Sequence, residues 1–169
     1  MERFSTSRLI AERLRQDHLV DLVALHLDPE VSRYLGGVRT PEATKEYVAA
    51  AMTHWDRHGF GLCALRTHAG EFAGRAGIRR AIVNGAPEFE ILYTLKRELW
   101  GSGLASEIAV ALTGIARVQL RLPCLVGLVV IGNTASCRVL EKLNFTRERT
   151  MQSRGEEVAL YRSPAWRET

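Results

Sequence analysis

The spacing of hydrophobic and polar positions changes several times along the chain, and each change predicts a new element. Between Ile91 and Leu95 successive side chains alternate and include aromatic and β-branched residues, a pattern typical of a buried strand. From Leu104 the apolar residues recur at helical spacing, which predicts a helix. Gly101 and Gly103 lie between these two patterns. The centre of the chain is therefore expected to run from a strand through a glycine turn into a helix.

Similar patterns predict elements on both sides of this segment. Strands are expected over residues 8–14, 60–66, 72–80, 89–95, 124–131, 145–151 and 158–161. Besides the central helix, helices are expected over residues 17–27, 40–59 and 134–143. Asp17 is the expected N-cap of the first of these, which would turn Leu27 inward. Thr40, followed by a proline, is the expected N-cap of the second, and Gly59 its end.

The connections between these strands predict a mixed sheet. Turn residues at 68–70 and 84–85 join three consecutive strands into an antiparallel meander. A strand, the central helix and a further strand in succession imply a parallel, right-handed crossover, and Arg154-Gly155 closes a final hairpin. We therefore expect an α/β fold in a single domain over residues 1–169. A ligand site is expected where the connectivity changes, beside the glycine turn.

Composition and charge argue against several classes of protein. No apolar run reaches about 18 residues and no charged-then-apolar leader opens the chain, so we expect a cytoplasmic protein with no membrane partner. The net charge of +4 comes mainly from scattered arginines, which argues against a nucleic-acid surface. The 3 cysteines and 5 histidines show no metal-ligand spacing, so no metal is expected.

The glycine turn has the properties of an anion site. Its small side-chain bulk lets a ligand approach the backbone, and the first amides of the following helix have no partner inside that helix. The helix end adds partial positive charge, so a phosphate or pyrophosphate would be stabilised there. The alternative reading of the same residues is a tight connection that binds no ligand.

Other motifs for nucleotide and acyl chemistry do not fit. Gly101-x-Gly103-x-x-Ser106 imitates the dinucleotide fingerprint, but it stands apart from its strand and lacks an acidic residue about 20 positions further on. The chain has no Walker A sequence and no Gly-x-Ser-x-Gly elbow. These observations argue against a Rossmann dinucleotide site, a P-loop and a serine hydrolase.

A set of short segments, in a fixed order along almost the whole chain, resembles one enzyme family. The segments are Thr6-Ser-Arg8-Leu-Ile10, Asp28-Pro-Glu30, Gly74-x-x-Gly77, Trp100-Gly-Ser-Gly-Leu-Ala105, Asn133-Thr-Ala-Ser136 and Val139-Leu-Glu-Lys-Leu-Asn-Phe145. Together they resemble the GNAT acyltransferases, specifically the ribosomal-protein N-acetyltransferase (RimJ/RimL-like) branch. The resemblance implies the GNAT-like acyl-CoA N-acyltransferase fold, in which the parallel crossover forms the cofactor site.

The resemblance also implies acetyl-CoA as the co-substrate, with its pyrophosphate on the amides of the glycine turn. The cofactor-binding residues that it implies are Leu95, Trp100, Gly101, Ser102, Gly103, Leu104, Ala105, Asn133 and Ser136. Ser102 stands where a basic side chain is frequent, so phosphate affinity is expected to rest mainly on backbone amides. Asn133 is expected to cap its helix and to contact the pantetheine arm as well.

The catalytic residues follow from the same resemblance. Leu140 stands where many relatives place the tyrosine that protonates the departing thiolate, so Ser136 is the candidate donor. Glu90 matches the family's strand carboxylate and would accept a proton from the amine directly or through water; the alternative is a solvated strand-end glutamate. Glu88 is the second choice for this role, and Glu107, in the first turn of its helix, is expected to be structural.

The acceptor implied by the resemblance is an amine that attacks acetyl-CoA directly in a ternary complex. An α-amino group with a pKa of about 7.7–8.0 is roughly a tenth neutral at pH 7, whereas a lysine amine near 10.4 is almost wholly charged. A protein or peptide N-terminus is therefore expected. Two alternatives stay open: a small amine (amino acid, polyamine or antibiotic), and a catalytically silent acyl-CoA sensor. The acceptor groove is expected between residues 36–40 and Arg154-Gly155, in a monomer or a homodimer.

Overall fold

The computed structural model describes residues 2–166, which form one open sheet of eight strands with helices on both faces. The strands are β1 (Arg3–Ser5), β2 (Leu9–Arg13), β3 (Leu62–Thr67), β4 (Phe72–Val83), β5 (Ala86–Leu95), β6 (Val126–Val130), β7 (Thr146–Ser153) and β8 (Glu156–Arg162). Their order is β1-β2-β3-β4-β5-β6-β8-β7, and β5 and β6 are parallel. The expected meander, parallel pair and final hairpin are confirmed. Residue 1 and residues 167–169, at the ends of the expected domain, lie outside the described residues.

Helices begin and end where local chemistry favours it. They are α1 (Leu19–Leu27), α2 (Pro29–Ser32), α3 (Pro41–His58), α4 (Leu104–Val118) and α5 (Thr134–Lys142). The Thr40 hydroxyl accepts from the Ala43 amide at 3.1 Å, and Gly59 ends α3 at a φ of 72°, so both predicted ends of this helix are confirmed. Among the described residues, no helix has the length and apolarity needed to cross a lipid bilayer.

Two predictions for the first helix are wrong. Asp17 does not cap α1, because a 3-10 turn over Gln16–His18 precedes it and the His18 ring accepts from the Arg15 amide at 3.0 Å instead. Leu27 is 47% exposed, whereas His26 in the same turn is completely buried. Apolar spacing alone predicts that Leu27 faces the core. The contacts of His26 with Thr44 and Arg75 turn His26 inward instead, and they set the rotation of α1.

Side-chain alternation on the central strands separates two helical layers. Ile91 of β5 belongs to the larger core cluster, which includes Ile108 of α4. Its neighbour Leu92 points to the opposite face and packs against the cluster that contains Leu25 of α1 and Val48 of α3. Along β4 and β5, alternate side chains therefore contact the α4–α5 layer, and the side chains between them contact the α1–α3 layer.

The pairing of β5 with β6 is confined to one position, and this opens the sheet. Glu90 lies opposite Val126, while β5 continues to Leu95 and β6 to Val130. On its other side β6 is paired with β8 along its whole length. Beyond Glu90 the two parallel strands therefore diverge, and the gap between them lies where the chain turns through Gly101 and Gly103 into α4.

Candidate active site

A cavity of about 160 Å³ occupies the gap between β5 and β6. Both predicted catalytic residues, Glu90 and Ser136, line it, and so does Asn133. Its walls are the facing backbones of the two strands together with side chains from both helical layers. Residues of both helical layers therefore meet at the cavity, at the point where the strands separate.

The two segments expected to flank an acceptor also border this cavity. The bordering residues are Tyr34, Leu35, Gly36 and Arg39 on one side and Ser153, Arg154 and Glu156 on the other. The Tyr34 hydroxyl donates to the Gly132 carbonyl at 3.2 Å, which joins the first segment to the loop before α5. The cavity is thus enclosed by loops that are far apart in sequence.

The Ser136 hydroxyl contacts a tyrosine that the sequence does not identify as a site residue. The Tyr93 hydroxyl lies 3.0 Å from Ser136 Oγ and 3.2 Å from the Ser136 carbonyl oxygen. Burial raises the pKa of Tyr93 to about 12, with the Ser136 contact acting in the opposite direction. A protonated phenol therefore stands beside Ser136 at neutral pH.

Leu140 of α5 is buried against β6, at a position where Gly127 leaves room for its side chain. It is 1% exposed, and a Cβ placed on Gly127 of β6 would lie 2.6 Å from Leu140 Cδ1. The predicted cap at Asn133 is confirmed, since its side chain accepts from the Ser136 amide at 3.3 Å. Tyr93 of β5, in contrast, brings a phenol to the cavity beside Ser136.

Glu90 is buried and held by an arginine on the neighbouring strand. It is 5% exposed, and its partner in the antiparallel register is Arg79, whose Nε donates to Glu90 Oε2 at 2.8 Å. Arg79 Nη2 lies 2.7 Å from the same oxygen without the alignment of a hydrogen bond. Glu90 is therefore not a solvated strand-end residue, and within residues 2–166 its Oε1 has no hydrogen-bond partner.

Glu88, the second choice for a base, is directed elsewhere. Its carboxylate accepts from both terminal nitrogens of Arg162, at 2.7 and 3.0 Å, and it does not line the cavity. This bidentate pair ties β5 to β8. The structure therefore leaves Glu90 as the glutamate of β5 that reaches the cavity.

The glycine turn has free amides and open space in front of them. Gly101 and Gly103 have φ values of 73° and 81°, a region that favours glycine, and a Cβ on Gly101 would meet no heavy atom within 4 Å. Within residues 2–166, the amides of residues 101–106 donate to no other group. The backbone here can accommodate an anion, as the sequence predicts.

The remaining predicted cofactor residues fix the turn without lining the cavity. The Trp100 indole donates to the Leu95 carbonyl at 3.0 Å, which fastens the turn to the end of β5. The Ser102 hydroxyl donates to the Leu99 carbonyl at 2.5 Å. Leu104 is buried in the main core and Ala105 packs against it. None of the residues from Trp100 to Ala105 lines the cavity.

An arginine from the start of the chain reaches this turn. Arg8 Nη1 donates to the Ser102 carbonyl at 2.8 Å, and Arg8 Nε binds Glu107 at 2.7 Å. Burial acts to raise the pKa of Glu107, but hydrogen bonds from Thr6 and Arg8 lower it to about 2. Glu107 therefore joins the chain start to α4, a tertiary role beyond the expected one at the helix end.

The cavity also contains residues that the sequence does not identify as site residues, among them Tyr47, Arg75, Arg79 and Tyr93. Arg39 lies within the expected 36–40 segment but is not singled out there. Arg75 and Arg79 are four residues apart on β4 and so share one face, a spacing that is visible in the sequence. No local signal identifies Tyr93 or Arg39, because their neighbours belong to distant elements. Among the described residues there is no group of three or more histidine, cysteine, aspartate or glutamate side chains that could hold a metal ion.

Comparisons with known proteins agree with this geometry. The model of a family described as an acetyltransferase (GNAT) domain matches residues 8–146. An uncharacterised protein of Bacillus subtilis (strain 168), YkkB, is 28% identical over 167 residues, covering 92% of this chain and 94% of the relative.

Solved structures share the fold. An acetyltransferase from Agrobacterium tumefaciens str. C58 has a TM-score of 0.83 and 26% identity, over 96% of this chain and 94% of that one. RimL, a ribosomal L7/L12 alpha-N-protein acetyltransferase solved in complex with coenzyme A, has a TM-score of 0.75 and 22% identity, over 95% of this chain and 97% of that one. At that identity the second likeness concerns the fold alone.

Proposed function

The chain belongs to the GNAT acetyltransferase family, and from that premise we propose that it transfers an acetyl group from acetyl-CoA to a protein or peptide N-terminal α-amino group. The amine attacks the thioester directly, in a ternary complex. The observation that carries the proposal is the cavity between the diverging β5 and β6, because it brings Ser136 and Glu90 together from opposite faces of the sheet.

The glycine turn supports the choice of donor. Its unpaired amides, the positive φ values of Gly101 and Gly103 and the open space before Gly101 fit a pyrophosphate. Arg8 adds a positive charge beside the turn, where Ser102 supplies none, although Glu107 partly compensates it. When bound, acetyl-CoA supplies the activated acetyl group as a thioester. The relative RimL, solved with coenzyme A, has the same fold.

Two hydroxyls serve the leaving thiolate in this proposal. Ser136 Oγ donates a hydrogen bond or a proton to the departing thiolate, Tyr93, 3.0 Å away, returns a proton to Ser136, and Tyr93 regains its own proton from solvent after the coenzyme leaves. Because burial keeps the pKa of Tyr93 near 12, the phenol is protonated throughout the neutral range. The pair therefore takes over the role of the tyrosine absent at Leu140.

Glu90 removes the proton from the amine. Its Oε2 is fixed by Arg79, and its Oε1 lies free in the cavity wall, where it can accept a proton directly or through water. The demand on this base is modest for an α-amino group, since roughly a tenth of such groups are neutral at pH 7. A lysine side chain would require a stronger base in the same position.

A panel of acceptors tests this function. Peptides with free or blocked N-termini, each with and without lysine, are incubated with acetyl-CoA alongside polyamines and aminoglycosides, and the added acetyl group is located by mass spectrometry. We expect acetylation of free N-termini. Acetylation confined to lysine side chains or to the small amines contradicts the N-terminal assignment, and binding of acetyl-CoA without transfer to any amine contradicts the enzymatic one.

A further inference from the structure

Two arginines enclose a tyrosine on the cavity face opposite Ser136. The guanidinium carbons of Arg39 and Arg75 lie 4.8 and 4.9 Å from the centre of the Tyr47 ring. Arg39 comes from the loop before α3, Tyr47 from α3 and Arg75 from β4. All three line the cavity, and Arg75 is only 2% exposed. We call Arg39 and Arg75 the arginine pair.

A buried histidine orients the pair without neutralising it. His26 Nε2 lies 3.2 Å from Arg75 Nε and 3.3 Å from Arg39 Nη1, while its Nδ1 lies 2.9 Å from the Thr44 hydroxyl. Burial first, then the charges of Arg75 and Arg39, lower the pKa of His26 to about 3. The ring is therefore neutral and accepts from both arginines, so it does not offset the positive charges of the pair.

The surroundings add to this positive charge. Within residues 2–166, no carboxylate forms an ion pair with either Arg39 or Arg75. The other charged residues that line the cavity are Arg79, Arg154, Glu90 and Glu156. The charge of Arg79 is matched by Glu90, and the charges of Arg154 and Glu156 are opposite. The arginine pair therefore carries the excess charge of the cavity.

An unpaired buried guanidinium is costly, because it has lost water without gaining a counterion. Within residues 2–166, the buried Tyr47 hydroxyl also has no hydrogen-bond partner. An anion that accepts from the arginines would relieve the cost of burying their charge. Planar guanidinium groups match a carboxylate especially well, because they donate two parallel hydrogen bonds to it.

The size of the cavity limits what such an anion can belong to. A cavity of about 150 Å³ accommodates a molecule the size of benzene, and the cavity here has a volume of about 160 Å³. A compact acceptor head therefore fits, with its amine directed towards Glu90 and its anion towards the arginine pair.

We propose that Arg39 and Arg75 form a subsite for a carboxylate carried by the acceptor, so that the preferred acceptors are amines with a carboxylate a few bonds from the nitrogen. This inference rests on the proposed function and narrows its substrate class. The carboxylate has two sources: the side chain of an acidic N-terminal residue of a peptide, or the α-carboxylate of a free amino acid.

Matched acceptors test the subsite and distinguish these sources. One arm compares tetrapeptide amides that begin with glutamate or glutamine, and the other compares free alanine with alaninamide. In at least one arm we expect kcat/KM of the carboxylate acceptor to exceed that of its neutral twin about tenfold or more. Equal values within both arms would overturn the proposal, and this comparison needs no variant.

The variant Arg39→Gln tests whether the arginine pair causes the preference for carboxylate acceptors. We expect it to lower the ratio of kcat/KM for the carboxylate acceptor to kcat/KM for its neutral twin about tenfold or more, mainly through KM of the carboxylate acceptor. Arg117→Gln, which removes an exposed arginine from α4, is the matched control and should change neither value. A preference that survives Arg39→Gln in a folded protein also overturns the proposal.

Failure of the proposed function is recognised separately. If no amine in the panel is acetylated, binding of the same acceptors is measured by calorimetry in the presence of coenzyme A. Carboxylate-dependent binding that Arg39→Gln weakens about tenfold or more supports the subsite even then. Absence of carboxylate-dependent binding to the wild-type protein overturns it.

Discussion

The two ends of the cavity are built in different ways. At the hydroxyl end, which comprises Tyr93, Asn133 and Ser136, the polar groups are neutral and hydrogen-bonded to one another or to helix amides. At the arginine end, which comprises Arg39, Arg75 and Arg79, cations lie buried or half-buried, and in the part of the chain that the structure describes only Arg79 has a carboxylate partner. At the hydroxyl end the hydrogen bonds are already made, and they fix the position of the proton donor. At the arginine end the excess positive charge favours a negatively charged ligand.

The two ends also differ in how their residues come together. Asn133 and Ser136 are three residues apart and are positioned by one helical turn. The arginine end takes its residues from a loop and a strand, with Tyr47 of α3 between two of them and His26 of α1 behind. Each end should therefore respond to substitution in its own way, and the predictions that follow separate them from the largest expected effect to the smallest.

Gly103→Glu should give the largest effect and should act on the donor alone. A Cβ at residue 103 would lie 3.6 Å from Arg8 Nη2, at a φ of 81°, so a glutamate there would add negative charge to the turn, neutralise Arg8 and strain the backbone. We expect at least a 100-fold loss of acetyl-CoA affinity by calorimetry, roughly the value of two charge-assisted hydrogen bonds. Gly114→Glu, on the exposed side of α4, is the matched control and should bind normally. Unchanged affinity in a folded Gly103→Glu protein would remove the turn from the site.

Loss of either hydroxyl should slow turnover without changing cofactor binding. We expect Ser136→Ala and Tyr93→Phe each to lower kcat about 10- to 100-fold, with KM for acetyl-CoA within about twofold, because a leaving-group contact matters mainly in the transition state. Thr113→Ala removes a hydroxyl that only donates within α4, to the Ala109 carbonyl at 2.8 Å, and should have no effect. If Ser136→Ala has wild-type turnover, with chemistry shown to limit the rate, the Ser136 hydroxyl has no catalytic role.

Glu90→Gln should change the pH dependence of the reaction. Without a base the rate depends on amine that is already neutral, so we expect kcat/KM to fall about tenfold at pH 7 and the deficit to narrow towards pH 9. Glu88→Gln alters a carboxylate of the same strand that binds Arg162 outside the cavity, and its pH profile should match the wild type. Superimposable profiles for Glu90→Gln and wild type would exclude Glu90 as the base.

Glu107→Gln should affect stability rather than either end of the cavity. The pKa of Glu107 is lowered in the folded state from 4.5 to about 2, so its contribution is present above about pH 4.5 and is lost as the pH falls towards 2. We expect the variant to lose about 2 kcal/mol of unfolding free energy at pH 7, and less at each step below pH 4.5. Urea titrations at several pH values measure this. Glu46→Gln, on the exposed face of α3, should show no such trend.

The fold was largely predictable because its signals are local. The strand alternation, the turn at Asn84-Gly85 and the cap at Thr40 each depend on residues close in sequence, and each lies where expected. Asn144 takes a φ of 62°, which suits its place after α5. β1 escaped prediction because three residues carry too little alternation to be distinguished from a loop.

Part of the site was predictable on both faces of the sheet. The family resemblance located Asn133, Ser136 and Glu90, and all three line the cavity. Tyr93 looked like one more residue of a buried strand, since its contact with Ser136 joins elements 43 residues apart. Apolar spacing predicts Leu27 rather than His26 as the buried residue, because it takes no account of the hydrogen bond to Thr44 or the contact with Arg75. Residues 36–40 are expected beside the acceptor, but the meeting of Arg39 with Arg75 depends on such contacts.

A crystal structure of the protein with coenzyme A and an acetylated acceptor tests the central claim most directly, namely that donor and acceptor meet in the gap between β5 and β6. We predict the coenzyme A sulfur within hydrogen-bond distance of Ser136 Oγ, the pyrophosphate against the amides of residues 101–105, and the acceptor nitrogen on the side of Glu90. A pyrophosphate bound away from the glycine turn, or a sulfur outside the gap, would contradict the account.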